Sequence, residues 1–160
     1  MRKQEREIRD RKEIDGIIRQ ARVLRLGLCR DNHPYIVPVS FGYDGDFIYF
    51  HTPPEGMKID YMNANDLVCF ELEHDVKMLP DRDKACKWSV SYLSVIGFGR
   101  VQEVTVTEDK ISALAQIMKQ YSGGEWDFDP AVVEKTRLWR IAIEQLTGKR
   151  SKDRIVNQPY

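Results

Sequence analysis

The chain has 160 residues, and its 25 Lys and Arg are balanced by 25 Asp and Glu, so its formal net charge is zero. At roughly 150 residues per domain, this length predicts one domain over residues 1–150 and a flexible basic tail over 151–160. A neutral chain lacks the surplus Lys and Arg with which general nucleic-acid binders displace phosphate counterions. The composition therefore argues against a nucleic-acid partner. It is typical of a globular protein that buries its core without disulfides or metals.

The sequence also predicts a protein without a membrane partner. No apolar run approaches the ~20 residues that span a bilayer, and the highly charged first 13 residues contain no signal-peptide core. Three cysteines, Cys29, Cys69 and Cys86, are odd in number and lack a CxxC spacing, which indicates reduced thiols. We therefore expect a cytoplasmic protein.

Charge is unevenly distributed along the chain. Residues 1–30 hold ten basic and five acidic residues, whereas residues 60–83 hold seven acidic and two basic ones. Such segregation could steer an anionic ligand or pair two protomers. Two ordinary solvated faces are the more common explanation of such a pattern.

Hydrophobic periodicity predicts helices near both ends of the chain and strands between them. Apolar residues at helical spacing indicate a helix over about 11–21, with Asp10 as its N-cap, and another over 107–121, with Thr107 as its N-cap. Shorter helices are predicted over 55–63 and from Pro130. Segments with a period of two, bounded by turn residues, predict strands over 23–28, 35–43, 47–51, 67–73 and 138–146, and one long strand or a bent pair of strands over 88–106.

Proline and glycine positions add detail to these strands. Pro38 cannot donate to a ladder, so it should lie at an edge, a bulge or a bend. Asp44-Gly45 is a two-residue hairpin signal. Gly97 and Gly99, two residues apart in one strand, indicate a barrel corner or a close backbone approach. Residues 74–87 are predicted to be a long polar connection. Sequential strands with helices mainly at the ends favour a mainly β fold, an antiparallel barrel with peripheral helices.

The common catalytic motifs are absent from the sequence. It has no GxSxG, Walker loop, HExxH or helix-opening GxGxxG. Glu73, His74 and Cys86 could in principle hold a metal, but no pair of them has ligand spacing, so no metal site is predicted. Cys86 as a nucleophile would need a positioned base, and none lies near it in sequence.

One segment, His51-Thr52-Pro53-Pro54-Glu55-Gly56-Met57-Lys58, combines features that suit an anion. A strand ends and a helix begins here, so helix N-terminal N–H groups and the helix dipole favour negative charge. Gly56 permits close approach, Lys58 adds a cation, and Thr52 and His51 add side-chain donors. The segment therefore resembles a phosphate cradle, although a helix start with a surface lysine has the same pattern.

Read in order, the segments 24–28 (LRLGL), 35–43 (YIVPVSFGY), 47–58 (FIYFHTPPEGMK) and 92–99 (YLSVIGFG) are specific as a set. They resemble the flavin-binding split-barrel family related to pyridoxamine 5′-phosphate oxidase, in the branch with the nitroimidazole-resistance (Nim) reductases. The similarity runs over about residues 4–150. It implies a six-stranded antiparallel split β-barrel of the FMN-binding type, and a homodimer with two FMN molecules in the clefts between protomers.

The resemblance also implies a set of cofactor-binding residues. Pro38, Val39 and Ser40 would contact the isoalloxazine, and Thr52 and Lys58 would hold the phosphate. His51 would lie beside the flavin as proton donor or substrate contact. The remaining members of the implied site are Ser94, Val95, Trp88 and Trp139, the last reaching the partner's FMN together with Arg140. For Trp88, Trp139 and Ser94, ordinary packing within the fold is an equally good explanation.

These features lead to one main functional hypothesis and two alternatives. The chain is predicted to be an FMN-dependent oxidoreductase that passes two electrons from NAD(P)H to a small acceptor, a nitroaromatic compound among the candidates. Oxidation of a pyridoxine vitamer is doubtful, because the paired Arg and Lys motifs of that enzyme are missing. The alternatives are a non-catalytic protein that binds FMN, FAD, a deazaflavin or haem, with His33, His51 and His74 as candidate haem ligands, and a structural dimer with an empty cleft.

Overall fold

The structure, a computed structural model, describes residues 4–151. Eight strands lie within this range: β1 Glu7–Ile8, β2 Leu24–Arg30, β3 His33–Val39, β4 Gly42–Tyr43, β5 Phe47–Thr52, β6 Leu67–Leu79, β7 Ser89–Val104 and β8 Arg137–Arg150. The helices are α1 Arg11–Gln20, α2 Met57–Ala64, α3 Thr107–Tyr121 and α4 Pro130–Lys135, with single 3₁₀ turns at Gln4–Arg6 and Ala85–Lys87. The number of strands exceeds the predicted six because β1 was not predicted and the predicted strand over 35–43 is divided into β3 and β4.

All eight strands belong to one antiparallel sheet. The strand order is β3-β2-β6-β7-β8-β5-β4, and β1 pairs with β8. Leu26 on β2 and Phe50 on β5 are fully buried in the same core cluster, although three strands separate them in the sheet. The sheet is therefore rolled around its core into a barrel. Since β3 and β4 form the two ends of the strand order, the opening of the barrel lies between them.

Helix α1 closes one side of this barrel. Ile14, Ile17 and Ile18 are buried in the core cluster, and at this i, i+3, i+4 spacing they form one helical stripe. The predicted N-cap is confirmed, because the Asp10 carboxylate accepts a hydrogen bond of 3.2 Å from the Lys12 N–H.

Helix α3 covers the outside of β4, β5 and β8. It packs so closely that a Cβ atom at Gly42 would lie 2.4 Å from the α3 backbone. The predicted N-cap of this helix is wrong. Val106 is the N-cap residue, no side chain caps the helix there, and Thr107 is already its first residue.

Two of the predicted strands have the wrong extent. The predicted strand over 35–43 is interrupted at Ser40 and Phe41, which separate β3 from β4. Phe41 donates its N–H to the Tyr121 hydroxyl at 3.0 Å instead of to a neighbouring strand. Much of the predicted connection over 74–87 is also strand. The register of β6 shifts between His74 and Lys77 and then resumes against β7 up to Leu79.

The predictions for proline and glycine are largely confirmed. Pro38 lies on β3, at the edge of the sheet, which is one of the predicted positions. Gly97 lies opposite Phe70, and a Cβ atom there would be 2.2 Å from the Phe70 ring. The Asp44-Gly45 hairpin exists, but its loop has three residues, Asp44 to Asp46, and the Asp44 carboxylate accepts the N–H groups of Asp46 and Phe47.

The ends of the described range pair with each other. Glu7 and Ile8 lie opposite Lys149 and Gly148. Ser151, the first residue of the predicted tail, is buried and its hydroxyl accepts the Tyr92 N–H at 3.1 Å; the rest of that tail lies outside the described residues. Across residues 4–151, no helix combines the length and the apolar character needed to span a bilayer.

Candidate functional site

The turn between β5 and α2 presents backbone donors at the surface. It begins at Thr52, the buried last residue of β5, and continues through 53–56, which are all exposed. Gly56 has a φ of +140°, which L side chains rarely adopt, and it is the N-cap residue of α2. No side chain caps α2 at this end. Its first N–H groups are therefore available to an external acceptor.

Lys58 and His51 flank this turn on different elements. Lys58 lies half-buried in the first turn of α2, and among residues 4–151 no ion pair or side-chain hydrogen bond occupies its ammonium group. His51 is exposed on the outer face of β5, whereas Thr52 points inward to the core side. A ligand that contacts both residues must therefore reach around the end of β5.

The start of β8 holds this turn in place. The Trp139 indole Nε1 donates to the Thr52 hydroxyl at 3.1 Å, and both side chains are buried. The Arg137 guanidinium donates from Nη1 to the Pro54 carbonyl at 3.0 Å. The structure thus brings two of the predicted residues, Thr52 and Trp139, into direct contact.

Arg137 is a member of this group that sequence reasoning missed. Its Nε and Nη2 each donate to one oxygen of the Glu103 carboxylate at 2.7 Å. This pair of hydrogen bonds lowers the pKa of Glu103 and raises that of Arg137 from their ordinary values. The guanidinium also lies over the Trp139 ring, 5.2 Å from its centroid. One sequence pattern could have pointed to Arg137. Side chains alternate between the two faces of a strand, so Arg137 lies on the same face as Trp139, two residues further on.

The three predicted residues of the 38–40 segment are exposed to different degrees. Pro38 is exposed on the outer face of β3, and Ser40 is exposed in the break after it. Val39 lies in the core cluster, so only its backbone faces the edge of the sheet. The break is held by Tyr121, whose hydroxyl donates to the Arg22 carbonyl at 3.1 Å and accepts the Phe41 N–H.

The predicted residues near β7 are separate from the turn. Val95 is fully buried in the core, and neighbouring Ser94 lines a cavity of about 340 Å³ on the outer face. Trp88 precedes β7, is largely exposed and donates its indole N–H to the Asp81 carbonyl at 2.7 Å. Within the described part of one chain, no side-chain contact joins Ser94 or Trp88 to Thr52.

A group of charges beside Ser94 was not predicted. Glu71 and Glu73 line the same cavity, and the Arg25 Nη1 pairs with Glu73 at 2.6 Å and with Glu71 at 3.2 Å. Burial, followed by the hydrogen bond to Glu73, raises the pKa of Glu71, against the opposing effect of Arg25. Arg25 thus links the basic segment 1–30 to the acidic segment 60–83 within the chain.

The structure does not gather the candidate metal ligands Glu73, His74 and Cys86 into a site. Residues 4–151 contain no group of three or more His, Cys, Asp or Glu side chains arranged to hold a metal ion. The His33 Nδ1 lies 3.0 Å from the Asp31 carbonyl, an ordinary turn contact.

Comparison with known proteins identifies the family. The family model for pyridoxamine 5′-phosphate oxidase matches residues 10–150. A solved structure of a candidate 5-nitroimidazole antibiotic resistance protein from Bacteroides thetaiotaomicron is 31% identical, with a TM-score of 0.79; the match covers 90% of this chain and 86% of that one. The chain therefore belongs to the pyridoxamine 5′-phosphate oxidase family, and its predicted similarity to the nitroimidazole-resistance branch is confirmed.

Two further proteins are similar to this chain, one in its fold and one in its sequence. The FAD and haem binding protein from Mycobacterium smegmatis has a TM-score of 0.80 at 18% identity, over 92% of this chain and 74% of that one. This match confirms the predicted fold class, a mainly β antiparallel split barrel. An uncharacterised protein of Rhizobium meliloti (strain 1021) is 32% identical over 101 residues, 63% of this chain. The match spans only 59% of that curated relative's length.

Proposed function

We propose that the chain is an FMN-binding flavoprotein. In this proposal it is a homodimer that passes two electrons from NAD(P)H to a small acceptor, with a nitroaromatic compound as one candidate. The observation that carries the proposal is the turn between β5 and α2, which offers a phosphate-sized anion the uncapped N–H groups at the start of α2 and the ammonium group of Lys58.

The donors of this turn fit the phosphate end of FMN. The N-terminal N–H groups of α2 and the positive end of its dipole face the turn, and a Cβ atom at Gly56 would meet nothing within 4 Å. Lys58 supplies a cation that no acid of residues 4–151 neutralises. Because Trp139 donates to the Thr52 oxygen, the Thr52 hydroxyl proton is left to donate to a ligand.

The exposed outer face of the sheet supports the proposed homodimer. Ile36 on β3 is 68% exposed, and Ile96 and Phe98 on β7 are 45% and 43% exposed. Pro38 and Ser94, two proposed ring contacts, lie on the same outer face as these apolar side chains. A second protomer on this face would bury apolar surface and bring a second set of residues to the cleft.

A bound FMN would supply the two-electron chemistry between nicotinamide and acceptor. The chain's own contribution is binding and proton supply. The turn would fix the phosphate, and the backbone near Pro38 and Ser40 would set the position of the ring. The exposed His51 imidazole could hold a proton and deliver it to the reduced acceptor.

The absorption spectrum and ligand titrations of the purified protein test this proposal. We expect flavin bands, a stoichiometry of about one FMN per chain, a dimer in sedimentation, and anaerobic bleaching of the flavin by NADH or NADPH. Titration of flavin-free protein with FMN, FAD and riboflavin compares the three ligands. A protein that binds none of them refutes the proposal. A Soret band on haemin titration, lost on substitution of His33, His51 or His74, would favour the haem alternative.

Lys58→Gln tests the phosphate contact directly. A charge-assisted hydrogen bond contributes about 1.5–3 kcal/mol, so the substitution should weaken FMN binding roughly 10- to 100-fold. Riboflavin, which lacks the phosphate, should bind both proteins equally. Lys119→Gln, at an exposed lysine on α3, is the matched control and should leave both affinities unchanged. Equal FMN affinity in wild type and Lys58→Gln would remove Lys58 from the site.

A further inference from the structure

The segment between Thr52 and Met57 is held by side chains from elsewhere in the sheet. It contains two prolines, a glutamate and a glycine, all exposed. Besides the ends of β5 and α2, two contacts fix it, at Thr52 and at the Pro54 carbonyl. Both contacts come from the first three residues of β8.

Arg137 connects these contacts. Its guanidinium lies over the indole of Trp139, which binds Thr52, and its Nη1 binds the Pro54 carbonyl directly. The other edge of the guanidinium is fixed by both oxygens of Glu103, at the end of β7. A planar guanidinium that is bound on one edge by a carboxylate has little rotational freedom. The remaining donor, Nη1, therefore points in a defined direction.

We propose that Arg137 is a positioning residue for phosphate recognition. Anchored by Glu103, it fixes the Pro54 carbonyl and thereby the angle at which the turn enters α2. The α2 N–H groups and Lys58 are then already arranged for the phosphate before the ligand arrives. Arg137 acts through the turn, because its Nε, Nη1 and Nη2 atoms each donate to Glu103 or to the Pro54 carbonyl. This inference rests on the proposed function.

Two comparisons separate positioning from a direct charge effect. Arg137→Gln removes both the fork and the charge, whereas Arg137→Lys retains the charge but cannot span Glu103 and the Pro54 carbonyl as a fork does. If Arg137 positions the turn, Lys fails as Gln does. If its charge attracts the phosphate, Lys restores binding. Arg100→Gln is the control, because Arg100 pairs with Asp66 at 2.6 Å, just beyond the opposite end of α2.

The test measures the affinities of FMN and riboflavin for each variant, together with backbone hydrogen exchange of residues 55–58 in the flavin-free protein. We expect about tenfold weaker FMN binding in both Arg137 variants, unchanged riboflavin binding, faster exchange in the turn, and no change in Arg100→Gln. The Lys variant, the milder change, guards against a folding failure of the Gln variant.

Three results would overturn the inference: recovery of FMN affinity by Lys, equal losses for FMN and riboflavin, or turn exchange that matches wild type. Failure of the proposed function is a different result, in which wild-type protein itself binds neither flavin. The exchange experiment, which needs no flavin, still shows in that case whether Arg137 orders the turn.

Discussion

The buried hydrogen bond between Trp139 and Thr52 provides a sharp test of how the turn is anchored. Thr52 is only 5% exposed, and Trp139 Nε1 donates to its hydroxyl at 3.1 Å. Thr52→Val keeps the shape of the side chain but removes the acceptor, so the buried indole N–H loses its partner. An unsatisfied buried donor costs about 1–3 kcal/mol. The extra apolar character of Val offsets part of this cost, so the lower half of the range is expected.

The assay is urea or thermal unfolding followed by circular dichroism. For a domain of this size each kcal/mol corresponds to about 2–4 °C, so the melting temperature should fall by roughly 2–8 °C. Thr147→Val, at an exposed threonine of β8, is the matched control and should change stability by less than about 0.5 kcal/mol.

Measuring Thr52→Val in the Trp139→Phe variant as well as in wild type makes this prediction refutable. In Trp139→Phe the donor is already gone, so adding Thr52→Val should cost close to nothing, because replacing both partners by apolar groups is nearly neutral. If Thr52→Val costs the same in both backgrounds, the hydrogen bond is not the cause, and packing of the methyl groups would explain the loss instead.

Two further outcomes are expected from the core and from α1. Gly97→Ala should lower the free energy of unfolding by about 1–3 kcal/mol in urea titration, because its methyl group would overlap the Phe70 ring; an unchanged midpoint would contradict this packing. Burial alone would raise the pKa of Asp15, but the hydrogen bonds that it accepts from Tyr43 and Arg11 hold it below its ordinary value. The stability this adds is present above the unfolded-state pKa and is lost as pH falls through the folded-state pKa. The stability difference between wild type and Asp15→Asn should therefore be largest near pH 7 and shrink below about pH 4; a difference independent of pH would refute this assignment.

Much of the fold follows from local patterns in the sequence. The stripe of Ile14, Ile17 and Ile18 and the cap at Asp10 define α1, because both signals act within a few residues. The alternating apolar residues of β2, β5 and β8 likewise indicate strands whose one face is buried. The family followed from four short segments taken together, each of which is weak by itself.

The errors arise where distant contacts decide the local structure. Residues 74–79 look like part of a polar connection because they contain His74, Asp75 and Lys77 and lead into the charged stretch 81–84. In addition, Asp75 has a φ of +54°. They are nevertheless strand, because β7 extends far enough to pair with them. Similarly, the break at Ser40 and Phe41 depends on Tyr121, about 80 residues away in sequence. The periodicity of the sequence around these residues therefore cannot predict either feature.

The candidate site could be predicted only where its residues lie close together in the sequence. The helix start at Gly56 and the cation at Lys58 can be seen in one segment. The paired hydrogen bonds between Arg137 and Glu103 cannot be seen in this way, because the two residues lie 34 positions apart and meet only through the pairing of β7 with β8. The period of two places Arg137 on the same face as Trp139, but it carries no information about Glu103 on another strand.

The pairing of β1 with the end of β8 has a consequence for the order of folding. Ile8 lies opposite Gly148, about 140 residues away, and a Cβ atom at Gly148 would be 2.8 Å from that of Ile8. Bringing such distant segments together costs loop-closure entropy, and contacts of high sequence separation slow folding. Earlier formation of the β6–β7 pairing and the β7–β8 pairing shortens the effective loop. Closure of β1 onto β8 is thus expected to be a late event, and in native protein this pair should be among the first to open.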